Sequence, residues 1–250
     1  MSSEQKTLLT CVGTLYALLV LNFYYRTDGF DSVYSTNYSL WKITPVTFLA
    51  LFSFNHGSGM EEEDKLFSGL GLAFGALGDF IIGQSPEGII PGAVAFAVGH
   101  LMYMKLLLRH EFKLHNQFLV GALVWGLIIG QLCLMPLLQE HTVAVGIFSI
   151  YSLILSSTTI IAVSQYLHGS KIQGIQWRAL GFIFFYASDS ILIMAHTNHW
   201  KLAPELCILS TYFIAQFLIM FGNHQALGDH FEESAMAKRI CQKISARLED

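Results

Sequence analysis

Charge is what this sequence has least of: Lys, Arg, Asp and Glu make up 13% of its 250 residues, while 53% are hydrophobic. Ordinary soluble domains carry about a quarter charged residues. The shortage therefore excludes a typical globular protein and points to lipid as the solvent. Proline is also scarce, at five, against 21 glycines, 19 phenylalanines and 10 tyrosines; this balance suits close-packed helices with aromatic residues at the membrane interfaces. The cysteines are Cys11, Cys133, Cys207 and Cys241, with no CxxC or Cys/His ligand spacing among them. The first three fall in apolar runs and read as small buried apolar residues. A net charge of −4 with scattered basic residues gives no footprint for nucleic acid. No GxSxG elbow, no HExxH helix and no set of three histidines on helix faces is present, so neither a serine lipase nor a zinc hydrolase is supported. No cleavable signal is expected, because the first apolar run is long enough to span a bilayer and lacks a small-residue cleavage site.

What is abundant is apolar sequence in lengths that cross a membrane, for which roughly 20 residues are needed. The runs predict eight transmembrane helices: Thr7 to Tyr25, Tyr38 to Phe54, Leu66 to Ile82, Ile89 to Leu108, Phe118 to Leu138, Val143 to Leu167, Ile175 to Ala195 and Ala203 to Gly222. Residues 1–222 then form an all-α, polytopic helical bundle, the catalytic unit, and 223–250 a polar tail. The connections are short, so any chemistry must use side chains on the helices or at their ends. With eight spans both termini share a side, which also holds Lys6, Lys65, Arg109, Lys113, Lys171 and the basic tail, whereas the other side holds little beyond Arg26 and Lys201. That asymmetry predicts both termini in the cytoplasm. The sequon at Asn37 abuts the second helix and is expected to be unmodified.

An ionisable residue at mid-bilayer costs about 2.5 to 3.5 kcal/mol on insertion scales. Those present are therefore candidates for function: Lys42, Asp79, His100 and Asp189. The predicted orientation puts Lys42, Asp79 and Asp189 toward the lumenal half and His100 near the midplane, where they could share one cavity. Gly71, Gly75 and Asp79 recur every four residues, on one helix face that a second helix can approach closely. His100 pairs with Tyr103, and Tyr212 with Gln216, each on one face, while Tyr151 adds a hydroxyl from the sixth span. Structural alternatives are an ion pair between Lys42 and Asp79 that only neutralises two charges, a snorkelling Lys42, and a core histidine at 100. A weak internal repeat, LGLAFGALGDFII from Leu70 against LGFIFFYASDSIL from Leu180, suggests a 4+4 internal duplication that brings the two aspartates together.

Two carboxylates in a low-dielectric cavity divide their roles, one keeping its proton as an acid and the other ionised as a base. That is a hydrolase arrangement, with no cofactor required. A metal held by Asp79, His100 and Asp189 stays open as an alternative, as does a proton-coupled transporter of small molecules or lipids, or a lipid-sensing receptor.

WKITP at Lys42, LGDFII at Asp79, GHLMY at His100 and Tyr103, ASDSIL at Asp189 and TYFIAQ at Tyr212 and Gln216, in that order, resemble the lysoplasmalogenase (YhhN-like) family from about Leu40 to Met220. The resemblance implies an eight-helix membrane enzyme that takes a lysophospholipid substrate and cleaves the vinyl-ether bond of lysoplasmalogens. The products would be a fatty aldehyde and glycerophosphocholine or glycerophosphoethanolamine. It implies an endoplasmic-reticulum location if the source is an animal. It carries over Asp79 and Asp189 as the catalytic pair, with Lys42, His100, Tyr103, Tyr212 and Gln216 as lesser candidates. The acidic EEED stretch and the basic tail depart from the pattern outside the site.

Overall fold

The computed structural model describes residues 3–31, 34–56, 60–168 and 173–248, with side chains to Leu227. The described residues contain no strand and form eight α-helices: α1 Ser3–Arg26, α2 Thr36–Asn55, α3 Glu62–Ile82, α4 Ile89–Leu108, α5 Asn116–Ile129, α6 Thr142–His168, α7 Gln173–His196 and α8 Pro204–Leu248. Seven are long and apolar enough to cross a membrane. The eighth, α2, carries Thr36, Asn37, Ser39, Lys42, Thr44, Thr47 and Ser53, and of these Ser39, Lys42 and Ser53 are buried. Outward lie Leu18, Leu127, Ile150 and Leu153, large exposed apolar side chains of the kind that lipid covers. Cys11 joins them, exposed on α1, which corrects the reading of it as buried; Cys133 is buried and Cys207 partly so.

The turns sort onto two ends. The turns that follow odd-numbered helices meet at one: Ser35 N–H donates to Gly83 O at 3.1 Å and Gln84 Nε2 to Ser39 Oγ at 2.8 Å, fastening α2 to the α3–α4 turn. At the opposite end Arg109, capping α4, bonds Asp64 at 2.7 Å and Glu61 at 2.8 Å, and also Glu63. The acidic stretch at the start of α3 and the arginine at the end of α4 each lie where the helix dipole favours them. Lys171 and the 169–172 turn lie outside the described residues, as do the side chains of the basic tail and Cys241.

Two boundaries differ from the apolar pattern. The fifth span is not one α-helix: after Ile129 the chain forms a π turn, Gly130–Leu134, and then a 3-10 turn, Met135–Leu137. Pro136 has no N–H to return to Leu132, so the regular ladder ends there. At the far end, α8 continues past Gly222 to Leu248, because nothing in the polar tail breaks the helix: it contains no proline.

Candidate active site

Glycines on α3 set how near the neighbouring helices come. A Cβ on Gly71 would lie 2.4 Å from the Tyr103 ring of α4, and one on Gly75 would lie 3.0 Å from Gln216 Nε2 of α8. The same face one turn later presents Asp79, which is buried. Its Oδ1 lies 3.2 Å from Lys42 Nζ of α2, and its Oδ2 accepts from Tyr212 Oη of α8 at 2.5 Å. Gln216 Nε2 donates in turn to Tyr212 Oη at 2.8 Å. Lys42 thus turns inward to an ion pair and does not snorkel. A buried pair of this kind is tolerated because the remaining carboxylate oxygen is also bonded.

Asp189 on α7 has a different setting. Tyr151 of α6 donates to its Oδ2, no cation bonds it among the described residues, and the next residue, Ser190, receives the Trp125 Nε1–H of α5 at 3.0 Å. The carboxyl stands on a wall between two cavities. One, with about 720 Å³ of empty space, is lined chiefly by aliphatic and aromatic side chains of α4, α5, α6 and α7, among them Ile129, Phe148, Tyr151 and Leu155. The other, about 990 Å³ and partly open to the outside, is polar and holds Lys42, Asp79, Asp189 and Tyr212. It widens toward the odd-turn end, where Ser85, His196 and Glu205 line it. Asp189 belongs to both linings.

Of the eight residues singled out from sequence, Lys42, Asp79, Asp189 and Tyr212 line the polar cavity and Tyr151 the apolar one. His100, Tyr103 and Gln216 line neither and are buried behind them. His100 packs within an aromatic cage, its ring centroid 4.6 Å from Phe185, 6.0 Å from Tyr103 and 6.1 Å from Tyr151. Both its ring nitrogens, Tyr103 Oη and Gln216 Oε1 are buried without a hydrogen-bond partner among the described residues. Among the described residues no three His, Cys, Asp or Glu side chains are grouped as metal ligands.

The model of one protein family, the YhhN family, matches residues 37–223. The chain belongs to the YhhN family. No curated protein and no solved structure matches it. The YhhN-family segment begins within the first turn of α2 and ends on α8 at Asn223, so it contains all eight singled-out residues and leaves out α1.

The YhhN segment also holds a polar group that sequence reasoning missed. Arg178 of α7 is fully buried, donates Nη2 to Gln165 Oε1 at 2.9 Å, and Gln165 Nε2 donates on to Leu107 O at 2.9 Å. Nearby in the chain's last described turns, Asn223 Nδ2 donates to Ser68 Oγ at 3.2 Å. The signal for the first was available: an arginine three helical turns before Asp189 in an apolar run.

Proposed function

We propose that the chain is a membrane-embedded lysoplasmalogenase, an ether-bond hydrolase that converts lysoplasmenylcholine or lysoplasmenylethanolamine to a fatty aldehyde and glycerophosphocholine or glycerophosphoethanolamine. One observation carries the reading: Asp189 stands on the wall shared by an apolar and a polar cavity, and Asp79 lines the polar one. A vinyl-ether lipid has that same division, with hydrocarbon on one side of the scissile bond and glycerol on the other.

The chemistry asks for one acid and one base. Asp79 enters as the carboxylate of an ion pair with Lys42, while Asp189, with Tyr151 on one oxygen and no cation, supplies the proton. Protonation of the alkene carbon distal to oxygen gives an oxocarbenium ion. Water adds to the carbon bearing the oxygen as Asp79 takes its proton. In the collapse of the resulting hemiacetal Asp79 passes that proton to the departing glycerol oxygen and the hemiacetal hydroxyl returns one to Asp189, which frees aldehyde and alcohol and restores both carboxyl groups. The proton count closes, and no oxidant or metal enters. Paired carboxylates handle the same kind of cation in glycoside hydrolysis. Tyr151 and Tyr212 orient the two carboxyl groups, and Gln216 orients Tyr212. His100 packs behind Tyr151 and Tyr103 packs against His100, and neither has contact with substrate in this reading. The setting is a multi-pass membrane protein of the endoplasmic reticulum, with both termini cytoplasmic and the polar cavity opening to the lumen.

Purified protein supplied with a synthetic lysoplasmenylcholine should release aldehyde. Asp79→Asn and Asp189→Asn should each lower the rate at least a hundredfold per folded molecule. Full activity in either variant would remove that residue from the pair. Movement of the lipid across liposomes with no product formed would replace hydrolysis with transport.

A further inference from the structure

The polar cavity has a charged residue that the proposed chemistry does not use. Its titratable lining consists of Lys42, Asp79, Asp189, His196 and Glu205, together with the phenols of Tyr34, Tyr38 and Tyr212. Lys42 and Asp79 offset each other as a pair, and Asp189 is held by Tyr151. Glu205, partly buried in the first turn of α8, makes no ion pair or side-chain hydrogen bond among the described residues. Glu205 is thus an acidic side chain of the lining that no Lys or Arg of the cavity offsets. Such a mouth attracts a cation and repels an anion.

Distance matches charge. Glu205 precedes Tyr212 by seven residues on α8, and His196 follows Asp189 by seven on α7. At 1.5 Å of rise per residue both lie ~10 Å from the carboxylate level, toward the odd-turn end. From the ether oxygen of a lysoplasmalogen to the nitrogen of its headgroup is a path of about nine bonds. At bond lengths near 1.5 Å it extends to ~11 Å. With the vinyl ether at Asp189, the ammonium therefore reaches the level of Glu205, in a cavity that Tyr34 and Tyr38 also line.

We propose that Glu205 is the specificity-determining residue for the headgroup, an ammonium subsite that selects amine-bearing lysolipids over those ending in a bare phosphate. The inference rests on the hydrolase reading for the lipid's placement. Two measurements on the full chain in detergent test it. In the first, kcat/KM for lysoplasmenylcholine is divided by kcat/KM for the same lipid with a phosphate and no amine. Glu205→Gln should lower this ratio about tenfold, mainly through KM of the choline lipid, and Glu205→Lys should invert the preference. A ratio unchanged within twofold in both variants overturns the proposal, as does an equal loss on both lipids with a lowered melting temperature, which marks Glu205 as a helix-start residue only. The second needs no turnover: glycerophosphocholine should raise the melting temperature of the wild type and not of Glu205→Gln, whereas glycerol 3-phosphate should raise neither. If the wild type releases no aldehyde but this binding pattern holds, the hydrolase reading fails and the subsite stands. If Ca²⁺ or Mg²⁺ alone gives the Glu205-dependent shift, the subsite belongs to a metal and the proposal fails.

Discussion

The two aspartates are the same residue type on matched helices, yet their neighbours make them chemically unlike. Each is engaged by the helix before its own: Lys42 of α2 for Asp79 of α3, Tyr151 of α6 for Asp189 of α7, positions within one residue of the 110-residue offset of the internal repeat. In the proposed reaction the cation beside Asp79 and the phenol beside Asp189 are what would make the first the base and the second the acid. This has a consequence for folding. Removing one member of a buried ion pair costs about 3 to 5 kcal/mol, because the other is left uncompensated. Asp79→Asn and Lys42→Met should each melt well below wild type, the Lys42→Met/Asp79→Asn double variant should regain much of the loss, and Asp189→Asn should melt close to wild type. Thermal unfolding in detergent reads all four; a strictly additive double variant would show that the pair is uncoupled. At this scale the sequence made the expensive charges visible: Lys42, Asp79 and Asp189 were found because lipid penalises them. It did not distinguish residues lining a cavity from those behind it: Gln216 shares a helix face with Tyr212 yet lies outside the lining, because where a cavity ends is a tertiary property.

Helix contacts in the two halves are built alike. Gly71 on α3 lets α4 approach, and at the equivalent position Gly181 on α7 faces Ile219 and Ala215 O of α8. Close backbone approaches of α7 and α8 lie nearer the even-turn end, where a Cβ on Gly174 would stand 2.3 Å from Ala226 N and one on Gly222 2.4 Å from Arg178 N. Those neighbours are backbone and cannot swing aside. Gly174→Ala and Gly222→Ala should therefore lower stability by about 1 to 3 kcal/mol. Gly121→Ala and Gly146→Ala, where nothing lies within 4 Å, should be neutral or slightly stabilising. The check is loss of helicity on titrating unfolding detergent into all four. Helix count and order were legible because a spanning helix must be apolar over a fixed length. The break at Gly130–Leu137 was not, since π and 3-10 turns keep the same composition as the α-helix they replace. Pro136 was the one local sign.

Taken whole, the bundle poses a question of parity that α2 decides. Seven helices qualify as spans by composition, and an odd number of crossings would put the termini on opposite sides. Because Lys42 meets Asp79 inside the bundle, α2 presents less charge to lipid than its sequence suggests. Tags on the N and C termini should accordingly be digested from the same side of sealed vesicles, the cytoplasmic one. Digestion of one tag from each side would mean that one of the eight helices does not cross. The alternation of turns was readable from connection lengths alone, but not the convergence of α3, α7 and α8 on one chamber, because helices with so uniform an apolar surface carry no strong preference for a neighbour.

The oily cleft and the watery funnel share five residues, Ile82, Ile89, Phe96, Asp189 and Leu192. A bond cut at that border sorts its fragments by solubility in the same act. On the proposed chemistry the aldehyde would leave sideways past α5, the least enclosed of the seven apolar spans, and the sugar-like alcohol past Glu205. In the proposed reaction neither fragment would have to cross the other's path, and a reactive aldehyde would pass to the bilayer without first meeting the aqueous compartment.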